Sequence, residues 1–123
     1  MAEDNELNRE IATEILRAEG CIIEEAENGM VAVKKLVNSK AGYYDLILMD
    51  IQMPIMDGYE AVKKIRMLDN KELANVPIIA MTANAFEEDK KKAMEIGMNA
   101  HISKPIDIDK LLGSMMELLQ NEE

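Results

Sequence analysis

Two short runs constrain this chain most. Residues 46–49 (Leu-Ile-Leu-Met) and 78–81 (Ile-Ile-Ala-Met) are apolar at every position. A strand with one wet face alternates apolar and polar residues, whereas a strand covered on both faces does not. Between the runs, from Gly58 to Leu68, Ala61, Val62, Ile65 and Leu68 recur at helical spacing. A buried strand, a helix and a second buried strand imply parallel pairing through a right-handed crossover.

The same alternation extends along the chain. Leu7, Ile11, Ile15 and Leu16 mark a helix from Glu6 to Ala18, stopped by Gly20. "CIIEEA" (21–26) reads as a strand, Asn28-Gly29 as a turn, and Val33, Leu36 and Val37 as a second helix. Residues 69–75 read as a polar loop, Phe86 to Ile96 as a helix, and "AHIS" (100–103) as a short strand. Ile108, Leu111, Leu112, Met115 and Leu119 stripe a last helix, first as a core face, with Met116 and Leu118 as an added partner surface. The expectation is one α/β domain over residues 1–123, a doubly wound parallel sheet with four strands.

Composition narrows the function classes. Fourteen Lys and Arg stand against 24 Asp and Glu, a formal net charge of −10. That argues against direct nucleic-acid binding and against contact with an anionic membrane. No apolar run approaches membrane-spanning length, and the N-terminus is too acidic for a signal peptide, so a cytoplasmic location is expected. The single cysteine, Cys21, excludes an internal disulfide and reads as a buried side chain.

The first apolar run ends on Asp50, although burying a lone carboxylate is expensive. Pro54 and Asp57-Gly58 then signal turns. In parallel sheets, ligands bind beyond the carboxyl ends of the strands. Asp50, Thr82 and Lys104 all fall at such ends, and Glu3 and Asp4 are expected on the same rim. Grouped carboxylates there raise one another's pKa, and a hard divalent cation relieves the repulsion. Mg²⁺ takes one or two carboxylates together with water and phosphate oxygens. Lys104 adds a positive charge and Thr82 a hydroxyl donor. The set suits a phosphoryl group carried on Asp50, since a carboxylate can act as nucleophile and form an aspartyl phosphate.

These residues resemble the receiver domain of two-component response regulators. The matching pieces are "EDN" (3–5), "LILMDIQMPIMDG" (46–58), "MTANA" (81–85) and "SKP" (103–105), in the family's order and spacing. "MTANAFEED" and "GMNAHISKPI" look most like receivers of hybrid sensor histidine kinases. The resemblance implies a flavodoxin-like fold and a signalling module with no turnover activity. It implies Asp50 as phosphoacceptor, served by a histidine kinase or a histidine phosphotransfer protein. Asp4 and Glu3 would hold Mg²⁺ together with Asp50 and the backbone carbonyl of Gln52. Thr82 would turn towards the phosphoryl group and Lys104 would pair with it. Lys104-Pro105 matches a peptide that is cis in the family, and His101 stands at a switch position where the family has Tyr or Phe.

Two departures set expectations. His101 puts an aromatic rotamer switch in doubt, although an imidazole could swing and add pH sensitivity. The family's first, central strand is missing ahead of "EDN", where the chain has only Met1-Ala2. Its loss is expected to expose two strand edges, with direct pairing of the flanking strands, a homodimer through the gap or a loosened fold as outcomes. It is also expected to leave Glu3 and Asp4 untethered beside a free ammonium that competes with Mg²⁺, impairing metal affinity and phosphorylation. The alternative function is then a phosphorylation-deficient interaction or dimerisation module. A phosphatase working through an aspartyl phosphate would want an acid two residues after Asp50, and position 52 is Gln. Simpler roles also suit single residues: Glu3 and Asp4 as charges at a helix N-terminus, Thr82 as an N-cap, Lys104 as a surface lysine and "EEDKKK" as a solvated helix face.

Overall fold

The computed structural model describes residues 1–83, 87–104 and 106–120. Nine elements alternate along it: α1 (Glu6–Ala18), α2 (Gly29–Val37), β1 (Ile47–Asp50), α3 (Gly58–Arg66), α4 (Lys71–Ala74), β2 (Ile78–Thr82), α5 (Glu87–Ile96), β3 (Ala100–Ser103) and α6 (Ile108–Gln120). The three strands pair in parallel in the order β1-β2-β3. Ile47 lies opposite Ile78 and Asp50 opposite Met81, while Ile79 lies opposite Ala100 and Thr82 opposite Ser103.

β1 and β2 are buried throughout, as strands covered on both faces must be, and only Leu46, just ahead of β1, is half-buried. Met49, Ile78 and Ala80 pack with Leu36 of α2, Val62 and Ile65 of α3 and Ala93 of α5. Leu48, Ile79, Met81 and Ile102 pack on the other face with Leu16 of α1 and Leu111 of α6. One core therefore lies on each face of the sheet, the doubly wound arrangement expected from the alternation.

The region of the missing first strand needs correction. Ala2 forms parallel bridges to both Ala26 and Met49, so the short N-terminal segment lies between them. The Ala2 N–H donates to the Leu48 carbonyl at 2.8 Å, and Asp50 N–H to the Ala2 carbonyl at 3.0 Å. On the other side, Glu3 N–H donates to the Ala26 carbonyl and Ala26 N–H to the Met1 carbonyl. The flanking segments thus do not pair directly, and near the site their edges are covered. The expected strand at 21–26 shortens to the Ala26 bridge, because residues 1–3 reach no further down; Ile22 is 98% exposed.

Other boundaries shift for local reasons. Asn28-Gly29 starts α2: the Asn28 side chain accepts from Val31 N–H, and Gly29 lies where a Cβ would stand 2.5 Å from the Met56 carbonyl oxygen. The expected loop at 69–75 contains α4, capped by Asn70. The helix from Gly58 ends at Arg66, two residues early. Phe86, the expected start of the next helix, and Pro105, of the expected cis peptide, lie outside the described residues.

Candidate functional site

From Ala2 the chain winds back to Ala26 on one side, then crosses to β1 on the other. The sheet's winding therefore reverses between the N-terminal segment and β1, and a crevice opens at such a reversal. Glu3 and Asp50 are carried to that point by the two adjacent segments.

Asp50 closes β1 and is only 3% exposed; Glu3 is 2% exposed. Lys104, just past β3, bridges them: its Nζ donates to Asp50 Oδ2 at 3.0 Å and to Glu3 Oε2 at 3.0 Å. Gln52 N–H donates to Asp50 Oδ1 at 3.2 Å. Lys104 N–H donates to the Thr82 carbonyl at 2.7 Å, which fixes the lysine backbone beside the end of β2. The close seating of α3 requires Gly58, where a Cβ would lie 2.4 Å from the Asp50 carbonyl oxygen.

The two buried acids titrate apart. Burial, joined by the hydrogen bond that the protonated carboxyl donates to Glu3, pushes Asp50 up to about 7. Burial also works to raise Glu3, but its hydrogen bonds with Asp50 and Lys104 outweigh it and hold Glu3 below its ordinary value. Burial would lower Lys104; hydrogen bonding to Asp50 and Glu3 outweighs it, and the ammonium stays charged to higher pH. At neutral pH the pair thus tends towards one shared proton, placed on Asp50 and balanced by Lys104.

Carboxylate oxygens of Glu3, Asp4 and Asp50 all lie within 4.8 Å of one another. Asp4 is exposed and opens on a cleft of about 420 Å³ that Gln52, Asp57, Tyr59 and Thr82 also line. A set of hard oxygen donors on an open cleft fits a hydrated Mg²⁺. The acid pair is not untethered: Glu3 is held by its backbone ladder, and Arg9 Nη1 donates to its carbonyl at 2.7 Å. The Met1 ammonium does not lie beside the acids as expected, since it donates to the Glu24 carbonyl at 2.8 Å, further down the sheet.

Asp50, Glu3, Asp4, Lys104 and Gln52 are thus brought together, with Thr82 on the same cleft. Thr82 ends β2, and Asn5, directly after the acidic pair, caps α1. His101 stands apart on β3, half-buried opposite Ala80, with Nδ1 buried and without a hydrogen-bond partner among the described residues. Sequence reasoning missed Asn8 and Arg9, which bind Glu3 from the first turns of α1. It also missed Tyr59 on the cleft, whose ring lies 4.4 Å from Lys92 Nζ. The only signal for the first two was their place one turn after the acidic pair; Tyr59 had none.

Comparison with known proteins agrees with this geometry. Residues 1–115 match the response regulator receiver domain family. The chain is 40% identical over 126 residues to hybrid signal transduction histidine kinase B of Dictyostelium discoideum, covering 95% of this chain but 6% of that protein. It is 40% identical over 113 residues to the two-component response regulator ORR41 of rice (Oryza sativa subsp. japonica), covering 90% of this chain and 85% of that protein. Among solved structures, the receiver domain of sensor histidine kinase PA1611 from Pseudomonas aeruginosa, with magnesium in its active-site cleft, superposes with a TM-score of 0.85 at 34% identity. That match covers 97% of this chain and 93% of the other. The receiver domain of Saccharomyces cerevisiae Ssk1, solved with the histidine phosphotransfer protein Ypd1, gives a TM-score of 0.85 at 33% identity over 95% of this chain and 84% of the other. No described helix is long and apolar enough to cross a membrane. A flavodoxin-like sheet, carboxylates at its winding reversal and these matches along nearly the whole chain make it a member of the response regulator receiver domain family.

Proposed function

We propose that residues 1–123 act as one phosphoacceptor domain and that Asp50 accepts a phosphoryl group from a phosphohistidine donor. The observation that carries this reading is the placement of Asp50: a buried carboxylate at the sheet's reversal, bridged to Glu3 by Lys104 and within reach of Asp4. An ionised Asp50 oxygen attacks phosphorus, the P–N bond breaks, and the donor imidazole leaves with the electron pair and takes up a proton. The product is an acyl phosphate on Asp50, which water then slowly hydrolyses.

Each residue has a part. Asp50 is a good nucleophile once ionised, because the burial that raises its pKa also makes it more basic. Lys104 already touches Asp50 and is placed to pair with the incoming oxygens. Thr82 supplies a hydroxyl from the end of β2. Glu3, Asp4, Asp50 and the Gln52 carbonyl would hold Mg²⁺. Mg²⁺ bound there supplies the charge that neutralises the transferring group. His101 would fill the switch position as an imidazole.

The donor is a histidine kinase or a histidine phosphotransfer protein. The PA1611 and Ssk1 matches support the metal and the partner, and the kinase relatives support a place in a phosphorelay. We place the domain in the cytoplasm as a signalling module without turnover activity. The tethering of Glu3 removes the main ground for a phosphorylation-deficient module.

Intact mass after incubation with acetyl phosphate tests the proposal, with and without Mg²⁺, on wild type and Asp50→Ala. A Mg²⁺-dependent phosphoryl adduct confined to wild type is expected. A folded wild type that gains no adduct overturns it.

A further inference from the structure

Another cavity reaches the Lys104 bridge, from the face of the sheet that α1 and α6 cover. Its volume is about 500 Å³, the size of a small-molecule site. It shares no described lining residue with the cleft at Asp4. Most of its wall is apolar: Ile11, Ala12 and Ile15 of α1, Met81 of β2, and Ile106 and Ile108 at the start of α6. Ile11 and Ile15 are 50% and 39% exposed, and part of the surface they leave open lines this cavity.

The polar end of the cavity is formed by Glu3, Asn8 and Lys104. Glu3 Oε1 accepts two long hydrogen bonds there, from Asn8 Nδ2 at 3.4 Å and from Lys104 Nζ at 3.2 Å, whereas Oε2 accepts from Lys104 at 3.0 Å. Oε1 is thus the less satisfied oxygen and keeps room for a further donor.

The charge count says what that donor should carry. Lys104 holds two carboxylates with one ammonium, so one negative charge is unmatched when both acids are ionised. The walls add more acids. Glu6, Glu10 and Glu14 are exposed on α1, and Asp107 and Asp109 are exposed beside Ile106 and Ile108. Against them stands the exposed Lys110, because Arg9 and Arg17 are turned to the carbonyls of Glu3 and Ile23. An anionic head would meet like charge at Glu3 and along both walls, whereas a cationic head supplies the missing charge.

We propose that this cavity binds a small cationic amphiphile, a protonated amine on an apolar body. The body lies against Ile11, Ala12, Ile15, Met81, Ile106 and Ile108. The ammonium donates to Glu3 Oε1 and Asn8 Oδ1, and Lys104 keeps Asp50. Occupancy would draw Glu3 away from Mg²⁺ and slow phosphoryl uptake; that consequence rests on the phosphoacceptor reading, and the binding does not.

Titration of the whole chain with phenylbutylamine, followed through its amide resonances, tests this, with phenylbutyrate as the anion on a similar body. The amine is expected to shift Ala12, Met81 and Ile108 and to bind about tenfold or more tightly than the anion. Glu3→Gln should bring the two probes within about threefold of each other. Ile15→Lys, at an exposed position that accepts a charge without repacking, should weaken the amine by about threefold or more. The inference is overturned if the amine does not bind, if both probes bind wild type alike, or if the shifts lie away from this wall. Amine binding that survives both substitutions unchanged also overturns it. Binding is read without acetyl phosphate, so its failure leaves Asp50 as acceptor untouched.

Discussion

The Lys104 ammonium stands 3.0 Å from Asp50 Oδ2 and 3.0 Å from Glu3 Oε2, so one cation holds two buried acids on neighbouring segments. Removing it strands like charges in a site with little water. Lys104→Met should raise the Asp50 pKa further and lower stability by about 1–3 kcal/mol near pH 8, as leaving buried acceptors without their donor would. Urea unfolding of both proteins at pH 8 checks this. A midpoint for Lys104→Met equal to or above wild type would show that the bridge contributes nothing to stability.

How far the sequence led depends on the kind of signal. Continuous apolar runs located β1 and β2, because burial on both faces leaves no room for alternation. The stripe at Leu7, Ile11, Ile15 and Leu16 located α1 but only part of its buried face. Leu16 faces the sheet together with Ala12 and Thr13, whose Oγ1 is satisfied by the Arg9 carbonyl, whereas Leu7, Ile11 and Ile15 are exposed. The convergence of Asp50 and Lys104 was legible from strand-end position, whereas Glu3 had no strand ahead of it to place it. The tethering of Glu3 was not legible: it rests on a two-sided backbone ladder around Ala2, which no side-chain pattern encodes. The cleft wall at Tyr59 depends on how α3 packs, which Gly58 permits but does not announce.

Asp50 makes the metal-free protein pH-sensitive. Its carboxyl is raised from 3.8 to about 7, so the folded state keeps a proton that the unfolded chain releases near pH 4. The stability from this group is present in full below the unfolded value and is lost as pH rises through about 7. Glu3, held low, works the other way and has completed its contribution well below pH 7. Between pH 5 and 8, in the presence of a chelator, the wild-type urea midpoint should therefore fall. Asp50→Asn, which carries no charge to bury, should be the more stable protein at pH 8 by about 1 kcal/mol or more. Parallel pH dependence of the two proteins would contradict this.

Arg66 is the main polar staple at the opposite end of the sheet. Its guanidinium donates to the carbonyls of Gly97 (2.9 and 2.7 Å), Ala74 (2.6 Å) and Val76 (2.7 Å) and to Asn99 Oδ1 (2.9 Å). It thus ties the end of α3 to the exits of α4 and α5. Hydrogen bonds from a charged donor contribute about 1.5–3 kcal/mol singly and do not add. Arg66→Met should cost about 2–4 kcal/mol in chemical denaturation. Phosphoryl uptake by the remaining folded protein should stay intact, since Arg66 touches none of the acids. A loss of uptake without a loss of stability would place Arg66 in the wrong role.

Ile55 carries strain beside the cleft. Its φ is 68°, in the left-handed region that a β-branched residue seldom enters, and its side chain is 74% exposed. The conformation costs about 1–3 kcal/mol, and the exposed side chain recovers little of that through packing. Asn tolerates this region because its short side chain can bond locally. Ile55→Asn should therefore raise stability by about 1 kcal/mol, read as a higher urea midpoint at unchanged slope. If the strain also holds the 51–57 loop against the site, the variant should take up phosphoryl groups from acetyl phosphate more slowly despite its greater stability. A variant less stable than wild type would show that Ile55 is held by packing that its exposure does not reveal.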